Sequence, residues 1–381
     1  SWATAKCTIQ AGVDAASDGC VVLVTNGIYN SGGVGFAAGE TSNRVAITKS
    51  LTVRSVSGAD VTIIEGAGTN YYFSTQAMRC VYMSKGVLDG FTLRFGATGA
   101  SGSVYYGGGV YGSAAGALVK NCVVCWNRAY YGGGVSGCAI QNSRIFDNIA
   151  STGGGMHGCS GQSCVIRNNR ATLYGGAANS SCLTNCTLTH NSSDYSAGGD
   201  YSGRLYNCIV WANVYGTGVT NDCYASGAYY TCAANLSSSS GCTNANPLFV
   251  DEANGDYHLQ ARSPCIDKGS NSYAPELPDL DGNARLADGN GDGTNTVDMG
   301  AYEFGASPGV AAPAIAPADG TSFCGSLSVG ITCATEGATI RYTVDGTTPT
   351  IGSPLYTAPF AIFATTTVKA KAFKSGIPDS A

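Results

Sequence analysis

The chain has 381 residues, 54 of them glycine and only 12% charged, long enough for two or three domains and unlike a disordered tail. A net charge of −5 and a pI near 5.2 argue against nucleic acid or an anionic membrane as the main partner. No apolar run approaches the roughly 18 residues needed to span a bilayer. The start at Ser1 without Met gives the expectation of an exported protein whose signal peptide is already removed.

Near the N-terminus, Ile9, Val13 and Ala16 form one apolar stripe and predict a short amphipathic helix. Strand-like runs follow at 21–24, 51–55, 61–66 and 88–93. From Asn121 onward the pattern Asn-Cys/Ser-x-aliphatic-x-x-Asn recurs at 121–127, 142–148, 185–191 and 207–213, and at 162–168 with Gln162 in the first place. Glycine blocks keep the same beat: 107–109, 132–134, 153–155, 175–176 and 198–199. A fixed period with short β-type runs and glycine turns marks a solenoid. Within each unit the alternation has period 2, so Cys122 and Val124, Ser143 and Ile145, Cys186 and Leu188, and Cys208 and Val210 point into the bore. One unit is one rung of a parallel β-helix, stacked at about 4.8 Å. Val124, Ile145, Val165, Leu188 and Val210 are predicted to form one internal stack. Asn127, Asn148, Asn168, Asn191 and Asn213 are predicted to form an amide ladder.

These features resemble the right-handed parallel β-helix family, which includes pectate lyases and many surface proteins. The resemblance implies an all-β solenoid over residues 1–250, with the N-terminal helix capping its open end. Past Pro247, the run from Ser263-Pro264-Cys265-Ile266-Asp267 to Val297-Asp298-Met299-Gly300-Ala301-Tyr302-Glu303 resembles the terminal segment of choice-of-anchor Q proteins. That likeness implies export and a capping segment over 251–309. Residues 310–381 are similar to the C-terminal domain of chitobiase and β-hexosaminidases, carried by the run from Gly337 to Thr350 and by Thr366 to Phe373. A small immunoglobulin-like β-sandwich is expected there, and the Ala/Pro run 311–318 reads as its linker. Cys324 and Cys333 flank one predicted strand or hairpin and are candidates for a disulfide.

Seventeen cysteines are an odd number, so at least one stays free unless it pairs between chains. Cys122, Cys186 and Cys208 share one inward position, and Cys138, Cys159 and Cys182 are assigned to another. A ladder of buried thiols is the simplest account, although neighbouring rungs also lie within disulfide reach. The loop Asp288-Gly289-Asn290-Gly291-Asp292-Gly293 has alternating oxygen ligands around glycine turns, as Ca²⁺ prefers. With Asp298 as a fourth ligand it is the candidate metal site, though Met299 stands where such loops place their last acid.

The residues assigned to the place before each ladder Asn include Asp147, Arg167 and His190, which would stack along one edge as a candidate catalytic set. No close carboxylate pair of the kind hydrolysis uses is evident. Tyr106, Tyr131 and Tyr174 precede glycine blocks, and with Tyr195 they offer a row of flat amphipathic faces for sugar rings. The sequence therefore reads as a secreted or cell-surface protein contacting an extracellular polysaccharide or other glycan. The alternatives are a polysaccharide lyase or glycoside hydrolase, and a self-associating structural subunit of a filament or surface layer.

Overall fold

The computed structural model describes residues 5–35, 41–67, 77–98, 105–114, 116–306, 310–374 and 380. The described residues fall into two compact units. One comprises residues up to 276 together with 285–304, and the other 277–284 together with 305–381.

The first unit is a parallel β-helix with four sides. In chain order, one coil contributes Ala117–Lys120 to the first side, Val123–Cys125 to the second, Arg128–Tyr131 to the third and Val135–Ser136 to the fourth. The next coil repeats this order beginning at Ala139–Gln141, and each strand pairs in parallel with its counterpart. On the second side Ile64, Leu93, Val124, Ile145, Ile166, Leu188 and Val210 follow one another in register, all fully buried. Ile166 therefore holds the core position expected for Val165, which lies one place earlier in its strand.

Four left-handed residues turn each coil. Gly132, Gly137, Asn142 and Asp147 mark one circuit at five-residue spacing, and Gly153, Gly158, Ser163 and Asn168 mark the next. Glycine is needed most between the third and fourth sides. A Cβ on Gly133 or Gly154 would come within 2.5 Å of a carbonyl oxygen in the adjacent coil.

At three of the corners one device recurs: the residue after the left-handed one returns a side-chain hydrogen bond to the carbonyl before it. Cys122 donates to Lys120 O (3.1 Å), Ser143 to Gln141 O (2.6 Å), Cys164 to Gln162 O (3.2 Å) and Thr231 to Tyr229 O (3.0 Å). Thiol and hydroxyl thus do the same work in one column. In the second column Cys159 donates to His157 O (3.4 Å) and Ser181 to Asn179 O (3.1 Å). Ser181 rather than Cys182 shares this column; Cys182 is exposed, in register with Ser160 and Arg204. All 17 cysteines are free thiols, and Cys333 donates to Ala311 O rather than bonding Cys324.

The third column is the amide ladder. It runs Asn127, Asn148, Asn169, Asn191, Asn213, each Nδ2 reaching the next Oδ1 at 2.9–3.0 Å. Asn169 takes the place expected for Asn168, which is the left-handed corner residue. The last amide, Asn213, donates to the carboxylate of buried Asp222 at 3.0 Å.

The N-terminal helix spans Ile9–Ala15, N-capped by the Thr8 hydroxyl, with Ile9 and Val13 buried. Lys49 caps its other end by donating to the carbonyls of Val13, Asp14 and Ala16. The predicted capping segment runs along the flank instead of only closing the end. Asn185 donates to Asp298 O, Ala301 N to the Thr187 hydroxyl, and Arg285 to Ser163 Oγ. The last coil is closed locally, by Tyr230 N to Ser240 O and Ala233 N to Thr243 O.

In the second unit Ala314–Ala316, Leu327–Thr332 and Phe360–Ile362 form one antiparallel sheet, and Thr339–Thr343 with Lys369–Phe373 another. Tyr342 stacks on Phe360 at 4.6 Å, and Val329, Ile331 and Ala372 are buried, which makes a small β-sandwich. The expected linker 311–318 thus supplies a strand of the domain.

The corrected ladder register gives a direct test. Asn169→Ala removes a buried amide that donates to Ile145 O, Arg167 O and Asn191 Oδ1, and should cost about 3 kcal/mol in denaturant unfolding. Asn168→Ala changes only an exposed left-handed residue and should cost about 1 kcal/mol. Equal losses would place the ladder wrongly.

Candidate functional site

The corner between the third and fourth sides is lined by two outward columns. On the third side, bridges and strand pairing put Tyr106, Tyr131, Thr152, Tyr174 and Ser196 in one row. On the fourth, register puts Tyr82, Tyr111, Ser136, His157, Asn179, Tyr201 and Tyr224 in another. The glycine-rich corner between them carries no side chain larger than the methyl groups of Ala177 and Ala197, so the rings close over it from both sides.

Two aromatic clusters result. In the first, Tyr106 stacks on Tyr131 (5.0 Å) and Tyr111 (5.5 Å), while His157 lies 4.9 Å from Tyr131 and 6.0 Å from Tyr106. In the second, Tyr174 meets Tyr201 (4.6 Å) and Tyr195 (5.4 Å), and Tyr201 stacks on Tyr224 (5.4 Å). Tyr106, Tyr131 and Tyr174 are half-buried on the same column, and Tyr195 is 66% exposed. Arg79 anchors the strip from below. Its buried guanidinium donates to the carbonyls of Tyr106 and Gly107 and to Asn43, and packs 5.2 Å from the Tyr111 ring.

Burial holds the His157 imidazole below the ordinary histidine value, so the strip is uncharged at neutral pH. Burial first, then the neighbouring phenols, raise Tyr131. Tyr111, His157 and Tyr201 are not among the residues singled out from the sequence. All three stand two residues after the last glycine of a block, a spacing that would have found them.

The expected catalytic row is not assembled. Asp147 and His190 are left-handed corner residues of one column, but Arg167 belongs to the adjoining strand column and lies over the Phe146 ring at 4.5 Å. Asn168 fills the corner between Asp147 and His190. His190 instead sits 3.6 Å from Glu252, with its Nδ1 3.0 Å from the Thr189 hydroxyl.

The four expected metal ligands also part company. Asp288 accepts from the backbone N–H groups of Gly291, Asp292 and Gly293, Asn290 from Asp292 N, and Asp292 from Thr294 N. Asp298 is buried behind the loop, accepting from Asp267 N (2.7 Å) and Phe304 N (2.6 Å), while the Asp267 carboxylate accepts from Gly289 N and Asn290 N. Among the described residues no group of three His, Cys, Asp or Glu is placed to hold a metal.

Buried acids lie close to both regions. Burial drives Asp298 up to about 7 and Glu303, aided by Asp298, up to about 9. Asp200, immediately before Tyr201, points inward in register with Ala178 and Cys223. Its carboxyl is fully buried and accepts from Ser226 Oγ (2.6 Å) and Gly203 N (3.0 Å), while Oδ1 has no hydrogen-bond partner. Burial lifts it to about 7.

Residues 317–381 match the family model for the Chitobiase/beta-hexosaminidase C-terminal domain. No curated protein matches the chain. Among solved structures, pectate lyase Pel9A is similar over 78% of this chain and 90% of its own, at 12% identity and a TM-score of 0.45. A pectin methylesterase in complex with a hexasaccharide is similar over 68% and 95%, at 13% identity and a TM-score of 0.35. No described helix is long and apolar enough to cross a membrane.

Asp200 makes stability depend on pH in a stated direction. Its folded value, about 7, exceeds the unfolded 3.8, so the folded state binds the extra proton between these limits. Stability from this group is full below about pH 4 and falls as pH rises to about 7. Asp200→Asn should therefore raise the melting temperature relative to the parent at pH 8, and give a smaller or reversed difference at pH 4.5. A difference independent of pH would show the carboxyl to be ionised throughout.

Proposed function

We propose that this chain is an extracellular, secreted or surface-attached protein that contacts a polysaccharide through the tyrosine–histidine strip of its β-helix. The observation that carries the reading is the row of Tyr106, Tyr131 and Tyr174 beside Tyr111, His157 and Tyr201 along one corner. Phenol rings offer apolar faces and hydroxyls together, which suits a sugar with apolar C–H faces and hydroxyl edges. The strip runs across successive coils, so a linear chain can meet several rungs at once. The chitobiase-type domain supports the reading as an appended module of the same glycan biology.

Glycan depolymerisation is the second reading, favoured by the pairing of His190 with Glu252 next to Arg167 and Tyr257. The two readings separate on the same variants. On a polysaccharide panel, Tyr106→Ala with Tyr131→Ala should weaken retention about thirtyfold, from roughly 1 kcal/mol per ring, with the fold intact by circular dichroism. Unchanged retention would refute the strip. New reducing or unsaturated ends that vanish with His190→Ala would make the protein an enzyme instead.

A further inference from the structure

A different corner, between the second and third sides, carries aromatic rings that the tyrosine strip does not use. Phe95 and Trp126 stack with centroids 5.7 Å apart and planes 14° apart, and Phe146 meets Trp126 edge-on at 6.2 Å. Phe95 is 43% and Trp126 48% exposed. Both adopt the left-handed conformation, at φ 58° and 55°, which bulky L side chains rarely enter. From Gly107 to Ala225 the other three corners fill this conformation with Gly, Asn, Ser or Ala, and Tyr230 follows as a lone aromatic in the last coil. Neither burial nor backbone preference accounts for a tryptophan and a phenylalanine at these places. Strain kept at an exposed aromatic pair points to a use for the rings.

The surrounding charges say what kind of ligand fits. Arg94 lies over the Phe95 ring at 5.1 Å while bonding the Glu65 carboxylate at 2.6 and 2.8 Å. Arg167 lies over Phe146, with Asp147 at the neighbouring corner position, and His190 faces Glu252. Acidic and basic side chains are interleaved along the ledge, which therefore carries hydrogen-bonding groups of both kinds. Aromatic faces flanked by polar groups of both signs suit an uncharged, polyhydroxylated ring better than a carboxylated one. We propose that the Phe95–Trp126–Phe146 ledge is a second saccharide-binding site, taking a neutral glycan chain. It stands independently of the tyrosine strip, which occupies a different corner.

The test titrates the full chain with neutral hexasaccharides of glucose, mannose and xylose, and with oligogalacturonate of equal length, following tryptophan emission and binding heat. At least one neutral hexasaccharide should bind and shift the emission. Trp126→Asn, and separately Phe95→Asn, should weaken that binding tenfold or more. Their melting temperatures should hold or rise, because Asn accepts the left-handed conformation more readily. Tyr106→Ala with Tyr131→Ala should leave this binding and its emission change in place, which separates failure of the ledge from failure of the strip. The proposal is overturned if no neutral hexasaccharide binds, if both Asn variants bind as the parent does, or if only oligogalacturonate binds.

Discussion

The corners depend on one local constraint: the N–H just after a left-handed turn is answered by a side chain of the next coil, while the carbonyl before the turn takes a backbone N–H and that side chain's own donor. The residue just after the turn supplies that side chain, with an amide in one column and a thiol or hydroxyl in the others. A buried N–H without a partner is costly, so the residue types permitted at that place are few and small. This requirement accounts for the repeated Asn, Cys and Ser of the sequence more directly than any demand of the core. It also explains the abundance of thiols in a fold without disulfides. Cysteine here is a compact donor that tolerates full burial, and burial pushes Cys122 up to about 12, far from the reactive thiolate form.

The amide ladder adds direction to that constraint. Each Asn donates towards the following coil and accepts from the preceding one, so the row has a donor at its C-terminal end. Another amide there would pass the same demand onward. Asp222 ends it, since a carboxylate only accepts, and its second oxygen takes Ala234 N. At the other end, the first amide oxygen accepts Gly96 N. The row is satisfied throughout its length, which lets five amides lie in the interior.

The solenoid, its capping helix and the C-terminal sandwich were legible because periodicity and residue type report local geometry. The misplaced residues of the third repeat have one cause. Asn168 and Asn169 are adjacent, and the heptapeptide fits either, so the third repeat admitted two registers. The five-residue spacing of left-handed corners decides between them, but backbone conformation is not written in the Asn letter itself. A slip of one place exchanges faces, and that single ambiguity moved Val165 into the core and Arg167 onto the corner. The loop at Asp288 illustrates a different limit. Asp298 is near it in sequence, yet the chain turns inward between them, and only the tertiary path separates a buried acid from an exposed turn. The flank contacts of Arg285 and Asn185 join residues more than 110 positions apart, beyond the reach of any local pattern.

From Gly132 to Ala212 three sides of the coil keep an interval of five residues between corners, whereas the third side spans six residues from Asp147 to Gly153 and seven from Asn168 to Gly175 and from His190 to Ala197. Over these coils length changes are therefore absorbed on one wall. The excursion from Val214 to Thr220, which pairs back on itself, lies on that wall too. The tyrosine column rises from its edge. A lineage could enlarge, shorten or redecorate this wall while the other three walls hold register, so the surface freest to diversify is also the one that faces outward with aromatic rings.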